Sequence, residues 1–370
     1  MVGVGGGGVN AVNTMVAVGL SGVQFVAINT DLQSLDASCA DVHVQVGGKL
    51  TKGLGAGADP AQGRAAAEEN KEDIAKSLDG ADMVFITAGM GGGTGTGASP
   101  IVAEVARAKG ALVVGVVSKP FVFEGQPRMR QAEDGIEQLR ATVDALIIVP
   151  NERLLDIYDE TMTFVESFAK ANDVLRQGVL GIAGLITNPG LINLDFADIR
   201  TIMANSGSAM MGIGTATGAD RALDAAQDAI NNPLLEETMQ GATGLVVSIS
   251  GGPDMTLHEV NKAMGIIRKA ADPGANIIFG TLIDEAKQGE LTITVIATGF
   301  KKRAFPPFTV NDAVEVDSNG SVLPLLGRNT PPEVVDKSFS FKQPQPVLTN
   351  AAAGNGSVLE FEVPEFLKGR

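Results

Sequence analysis

Met83-Val84-Phe85-Ile86-Thr87-Ala88 runs toward Gly91-Gly92-Gly93-Thr94-Gly95-Thr96-Gly97, and these two stretches together decide the fold. The first is an unbroken apolar run of strand length and reads as a buried strand. After the glycines, Ser99-Pro100 reads as a helix cap with proline at the first helical position. Ile101, Val102, Val105 and Ala106 then recur at helical spacing until Gly110. A glycine loop between a strand and a helix start leaves free N–H groups and the positive end of a helix dipole aimed at one spot, which suits a phosphate. Thr94 and Thr96 add hydroxyl donors. The loop is not a Walker A motif, because no Lys-Ser or Lys-Thr pair follows it.

Working outward, Gly5 to Gly8 form a second glycine loop ahead of a helical stripe through Val9, Val12, Met15, Val16 and Leu20. Gly3, Gly5 and Gly8 also satisfy the dinucleotide fingerprint, with Asp31 placed after the Val23–Asn29 strand where a ribose-binding acid belongs. An NAD-dependent oxidoreductase is therefore a rival reading, although it has no use for the second loop. The lead-in, Met1 to Val4, is a stub. It predicts either further residues upstream or a short, poorly anchored first strand. Gly53 to Asp59 is a third small-residue loop, followed by Pro60 and a helix from Ala61 to Leu78. Ala111–Val117 and Ala145–Val149 read as strands. After the first of these come Glu124 and Arg128, a carboxylate and a guanidinium that could grip a ribose and a phosphate or simply pair at the surface. Alternating strands and helices imply a Rossmann-like parallel sheet with helices on both faces. Ligands then bind at the C-terminal edge of the strands. All the glycine loops, Glu124, Arg128 and Asn151 fall on that edge.

A long helix spans Phe164 to Ile186. Near its start, Phe168 could stack on a base and Asn172, one turn on, could bond the base edge; a core position is the bland alternative for Phe168. Beyond its end, Asn193-Leu194-Asp195-Phe196-Ala197-Asp198 opens another helix. Asp195 and Asp198 share a face and either cap the helix or polarise a water. At about 1.5 Å per residue the long helix separates them from the phosphate edge by roughly 30 Å. If they act on a nucleotide, it belongs to a neighbour docked head to tail, and a head-to-tail contact that does not close builds a filament.

The expected organisation is a nucleotide domain over 1–163, a central helix over 164–186 and a smaller α+β domain over 187–300. A disordered linker over 301–357 and a docking peptide over 358–370 complete it. In the α+β domain Gly218–Ile230 reads as a helix, Gly244–Ser250, Asn276–Ile283 and Leu291–Thr298 as strands. Thr256-x-x-Glu259 is a capping box that starts a helix. The linker is proline-rich and polar, with a reach of about 40 Å as a flexible coil. The tail regains apolar anchors at Phe361, Phe366 and Leu367. A net charge of −15 and few large aromatics argue against nucleic acid as a partner. The single Cys39 excludes a disulfide framework and fits a reducing cytoplasm. His43 and His258 have no metal-ligand spacing around them, no metal site is expected, and no apolar run is long enough to span a bilayer.

The 91–97 loop matches the signature loop of the tubulin family letter for letter. With Ala88-Gly89-Met90 before it and Ala98-Ser99-Pro100 after it, it resembles the bacterial cell-division GTPases of the FtsZ family. The resemblance covers Gly3 to about Phe300 and the extreme tail. It includes the first loop, Asn29-Thr30-Asp31, Pro120-Phe121 with Glu124 and Arg128, and Asn193-x-Asp195-x-x-Asp198. The wording of Ile182–Asp198 and Pro233–Glu236 is closest to actinobacterial members. Carried over, the resemblance implies that Gly6, Gly7, Gly8, Val9 and Asn10 line the phosphate site and that Gly93, Thr94 and Gly95 cradle the β- and γ-phosphates. Glu124 and Arg128 would contact ribose and phosphate, and Phe168 and Asn172 would hold guanine. Asp195 and Asp198 would activate water on the next subunit's GTP, with Asn193 supporting the loop. Val363, Pro364, Phe366 and Leu367 would dock onto membrane-tethering division proteins. The implied protein is a cytoplasmic GTPase that binds GTP or GDP and polymerises into the mid-cell division ring; Mg²⁺ follows from triphosphate chemistry. A non-catalytic filament scaffold, with the aspartates as caps only, is the third reading.

Overall fold

The computed structural model describes residues 1–300 apart from 20–21, 158–161, 188–191, 193, 235–238 and 240. Asn193, the linker over 301–357 and the tail peptide over 358–370 lie outside the described residues. The strands are β1 (Val2–Val4), β2 (Val26–Asn29), β3 (Val42–Gln45), β4 (Met83–Gly89), β5 (Leu112–Lys119), β6 (Ala145–Pro150), β7 (Gly207–Thr217), β8 (Gly244–Gly251), β9 (Asn276–Ile283) and β10 (Glu290–Thr298). The helices are α1 (Gly5–Val18), α2 (Leu32–Asp36), α3 (Gly48–Thr51), α4 (Pro60–Glu69), α5 (Lys71–Ser77), α6 (Gly93–Ala108), α7 (Gln126–Arg140), α8 (Glu152–Ile157), α9 (Phe164–Thr187), α10 (Phe196–Met203), α11 (Arg221–Ile230) and α12 (Leu257–Ala270).

The strands join in the order β3-β2-β1-β4-β5-β6-β7-β10-β8-β9. From β3 to β6 every pairing is parallel. Side chains alternate between two apolar layers. Val84 and Ile86 face Ala98, Ile101 and Val102 of α6, while Phe85 joins Met15 of α1 and Leu175, Val179 and Ile182 of α9. Coverage on both faces is why the central strands β4 and β5 read as near-continuous apolar runs, whereas the edge strand β3 alternates apolar and polar residues. Among the described residues no helix is long and apolar enough to cross a membrane.

Four expectations are corrected. First, β1 is short but not poorly anchored. Val2 and Val4 are fully buried, and the strand pairs with β2 on one side and β4 on the other. α1 lies directly on it: a side chain at Gly3 would meet the carbonyl of Gly8 at 2.4 Å. Second, Ser99-Pro100 is not a cap. α6 begins seven residues earlier, at Gly93, with Pro100 inside it. Packing overrides propensity here. A Cβ at Gly97 would fall 2.0 Å from the Pro60 carbonyl of α4, and one at Gly63 would fall 2.3 Å from the Gly93 carbonyl. Third, the helix expected over 61–78 breaks at Asn70. The Asn70 side chain accepts from the Gly47 N–H (2.9 Å) and donates to Asp73 (3.0 Å), which ends one helix and starts the next. Fourth, the helix expected from Gly218 starts at Arg221.

Two strands escaped the sequence, β3 and β7. β7 carries glycines that read as breakers, yet α11 lies so close that a Cβ at Gly212 or Gly214 would come within 2.0 Å of the Ala229 or Ala225 carbonyl. β7 also joins the two halves. Gly207 to Ala209 pair parallel with β6, and Met210 to Thr217 pair antiparallel with β10. Under this second sheet, Arg221 at the start of α11 reaches the start of α12. It donates to Glu259 (Nε to Oε1, 2.6 Å) and to Asp254 (Nη1 to Oδ2, 2.6 Å). Glu259 closes the expected capping box with Thr256 at the same time. The Arg221 hydrogen bonds hold the Glu259 carboxyl well below its ordinary range, at about 2.

Candidate functional site

Among the helices of the first half that begin without a side-chain cap, α1 and α6 begin in glycine-rich stretches. α1 starts after Val4 and α6 after Gly92, and neither has a capping hydrogen bond. The first turn of a helix carries orphan N–H groups and the positive end of the dipole. Both starts open onto the same cavity, of about 450 Å³, at the C-terminal ends of β1, β4, β5 and β6. Its size suits a nucleotide-sized ligand.

Gly6, Gly7, Asn10, Gly93, Thr94, Gly95, Glu124, Arg128, Phe168 and Asn172 all line this cavity. Gly6 is open to it: a Cβ there meets nothing within 4 Å. Gly8 and Val9 do not line it. Gly8 packs against the Thr87 carbonyl, which a Cβ would approach to 2.3 Å, and Val9 is buried with Ala27 and Leu35. The Thr94 hydroxyl is shared with that of Thr30 at 2.6 Å, which fixes its rotamer at the mouth of α6. Glu124 and Arg128 stand together at the cavity. They pair at 3.1 Å and they border the cavity, with Glu124 further held by the Phe121 N–H at 2.9 Å. Phe168 sits at the rim beside Phe121 and Phe164, with ring centroids 5.4 and 4.9 Å away.

Several lining residues carry no sequence signal of their own. Ser118 sits at the end of β5 and its carbonyl accepts from the Met90 N–H at 2.9 Å. Ala58 lines the cavity with φ +59°, a left-handed conformation that non-glycine residues adopt rarely and that tends to mark functional loops. Asn151, placed on the ligand edge by its position after a strand, is buried, and its Oδ1 has no protein partner. Asp31 is not at the cavity; its carboxylate caps α2 through the Gln33 N–H at 3.1 Å. The dinucleotide reading loses its ribose acid, and Gly3 and Gly8 serve helix–strand packing instead.

α9 leads away from this edge for 24 residues, about 36 Å. At its far end Asp195 and Asp198 are both exposed and stand at the start of α10. Asp195 occupies the cap position, but its side chain makes no capping bond. The capping explanation for that carboxylate therefore fails. Among the described residues no group of three His, Cys, Asp or Glu could cage a metal ion.

Exposed apolar side chains gather near the cavity end. Leu54, Val122, Phe123, Phe164 and Val165 surround the cavity edge; Ile192, Leu257 and Ile283 lie elsewhere on the surface, Ile192 close before Asp195 in the chain. Scattered exposed apolars are ordinary, but a cluster of this kind around a polar site marks a contact surface.

Comparison with known proteins agrees with this architecture. Residues 1–159 match the model of the Tubulin/FtsZ family GTPase domain, and residues 207–301 match that of the FtsZ family C-terminal domain. An empty FtsZ dimer from M. jannaschii is 44% identical, with a TM-score of 0.78, over 80% of this chain and 87% of that one. A point mutant of FtsZ from M. jannaschii is 43% identical, with a TM-score of 0.78, over 81% and 90%. CetZ2 from Haloferax volcanii, described as a GTPγS-bound protofilament, shares the fold at 22% identity and a TM-score of 0.67, over 81% and 92%.

Proposed function

The chain belongs to the tubulin/FtsZ family and is a GTPase that takes GTP and GDP, and from that premise we propose that it hydrolyses GTP at sites completed only when two copies stack head to tail. One observation carries the proposal. The uncapped helix starts and the exposed Asp195–Asp198 pair lie at opposite ends of α9, too far apart to meet within one molecule.

In this reading the N–H groups of α1 and α6 bind the phosphates, with Gly6, Gly7, Gly93, Thr94 and Gly95 giving the backbone room to approach. Glu124 and Arg128 orient the ribose and a phosphate. Phe168 and Asn172 hold the base, and the unpartnered Asn151 Oδ1 supplies a further acceptor. Gly8 and Val9 act from behind, by seating α1. Asp195 and Asp198 orient and polarise the attacking water for the neighbour's γ-phosphate, with Asn193 supporting their loop. Mg²⁺ accompanies the triphosphate. The cavity offers neutral side-chain oxygens at Asn10 and Thr94 rather than a carboxylate cage, which fits an ion carried by phosphate oxygens and water. Its chemistry is to neutralise charge on the phosphates.

A non-closing head-to-tail contact generates a filament. The apolar side chains around the cavity edge support such a contact, and the relative described as a dimer is in keeping with it. We place the filament in the cytoplasm at the mid-cell division ring. The 358–370 segment, through Val363, Pro364, Phe366 and Leu367, tethers it to membrane-bound division proteins, and the 301–357 segment serves as spacer. The division into 1–163, 164–186 and 187–300 follows the same roles.

The test is phosphate release against protein concentration, with GTP and ATP in parallel. Turnover per protomer rises with concentration and is specific for GTP if the reading is right. A specific activity unchanged by dilution overturns the shared site, and equal use of ATP overturns the assignment of the base pocket.

A further inference from the structure

The Asp195 and Asp198 side chains have no hydrogen bond among the described residues, so their aim depends on how α10 is held. One face of α10 is apolar and buried through Ile199, Ile202 and Met203. Apolar contact is non-directional and fixes neither rotation nor axial position tightly. Hydrogen bonds do: Thr298 of β10 donates to the Ile202 carbonyl at 3.3 Å, and the others that reach the C-terminal half of α10 and the turn after it cluster at the far end of α6. Arg107 Nη2, in the last turn of α6, donates to Asn205 Oδ1 at 2.6 Å and lies 3.9 Å from Asp144 Oδ1. The Asn205 N–H donates to the same Asp144 oxygen at 3.3 Å, while Asp144 Oδ2 accepts from the Val113 N–H of β5 at 2.9 Å. Arg200 of α10 donates to the Gly110 carbonyl, in the turn between α6 and β5, at 3.2 Å. Asn205 is held in the left-handed region at φ +53°, where a non-glycine residue is uncommon.

α6 is the helix whose first turn lines the nucleotide cavity, and over 16 residues it runs about 24 Å from that cavity to Arg107. We propose that Arg107 and Asn205, seated on the buried Asp144, form a latch that sets α10, and so Asp195 and Asp198, against the far end of the same chain's phosphate-binding helix. Both are positioning residues, since neither touches the nucleotide. The inference rests on the reading above, in which those carboxylates serve a neighbour. It goes beyond that reading by giving one rigid helix a phosphate contact at one end and the aim of the hydrolysing loop at the other.

The experiment compares the full chain with R107A, R107K, N205G and the R107A/N205G double variant. Three quantities are read: GTP affinity, polymer sedimented with a slowly hydrolysed GTP analogue, and phosphate release per polymerised subunit. N205G keeps the backbone bond to Asp144 and relieves the left-handed residue, but it removes the acceptor of Arg107. Expected are unchanged affinity and polymer, with turnover per polymerised subunit down about tenfold in R107A and N205G, a loss typical of slight misplacement of a reacting group. R107K recovers part of the loss. The double variant is no worse than either single, as two halves of one contact should be. Full turnover in R107A or N205G, additive losses in the double, or a loss that merely tracks lost polymer each overturn the latch. If R107A fails to fold, N205G carries the test. D198A runs alongside. Hydrolysis by D198A breaks the assignment of the carboxylates, whereas a dead D198A beside a fully active R107A breaks only the latch.

Discussion

The two ends of α9 are built on opposite plans. At the cavity edge the working groups are main-chain N–H donors, fixed by two helix starts that are themselves pinned by close backbone contacts. At the other end the working groups are two exposed carboxylates with no capping bond. One end is preorganised to hold a ligand. The other is a tool without a workpiece. Under the proposed function the contrast makes binding and turnover separable, the second needing a surface that another copy supplies.

The sharpest way to break the contrast is to disable each end in a different subunit. Asp198→Ala should cut phosphate release about 10²- to 10⁴-fold, the usual contribution of a general base, while leaving GTP binding intact. Gly6→Val should fold, because a Cβ there meets nothing within 4 Å, yet fill the phosphate position. Each variant alone should be nearly inactive, and mixing them should restore part of the turnover through interfaces that pair an intact cavity with an intact carboxylate pair. Absence of rescue, with both variants folded, would count against a shared site.

Two glycines sharpen the account of the cavity end. Gly97→Ala pushes a methyl group against the Pro60 carbonyl and should cost about 3 kcal/mol of stability, the upper part of the usual overpacking range, read from denaturant unfolding. Gly6→Ala should leave stability unchanged and weaken GTP about tenfold, near 1.4 kcal/mol, read from equilibrium binding. Interchanged results would mean that the roles of packing and ligand space have been assigned to the wrong glycines.

The smallest effect concerns the Arg221 clamp, remote from both ends. Glu259 has its pKa lowered from 4.5 to about 2 by Arg221, so its contribution to stability is whole above pH 4.5 and drains away as pH falls toward 2. Glu259→Gln should be less stable at neutral pH by about 1–2 kcal/mol, after allowing for solvent screening. Its stability should also decline less steeply than that of the parent between pH 5 and pH 3. Parallel declines would remove Glu259 from the acid response.

Much of this was legible in the chain. The apolar runs of β4 and β5, the unbroken period of α9 and the Thr256–Glu259 capping box all stand where local pattern puts them, because each is decided by its own residues. The convergence of the glycine stretches with Glu124, Arg128 and Asn151 followed from one rule about strand ends. What escaped depends on partners distant in sequence. A run of glycines becomes the first turn of α6 only because α4 presses on it, and Gly212 and Gly214 sit in a strand only because α11 needs their bareness. Ser118, the left-handed Ala58 and the Arg107–Asn205 contact have no local signature. Gly8 and Val9 enter the phosphate site only through the family resemblance; both are buried and neither borders the cavity.

β7 has a further consequence. Its first three residues belong to one sheet and its last eight to the other, without a loop between them. Turning one half against the other at that seam must twist a continuous strand that is paired on one flank before the seam and on the other flank after it. A rotation there must break or bend main-chain pairing rather than swing about a loop.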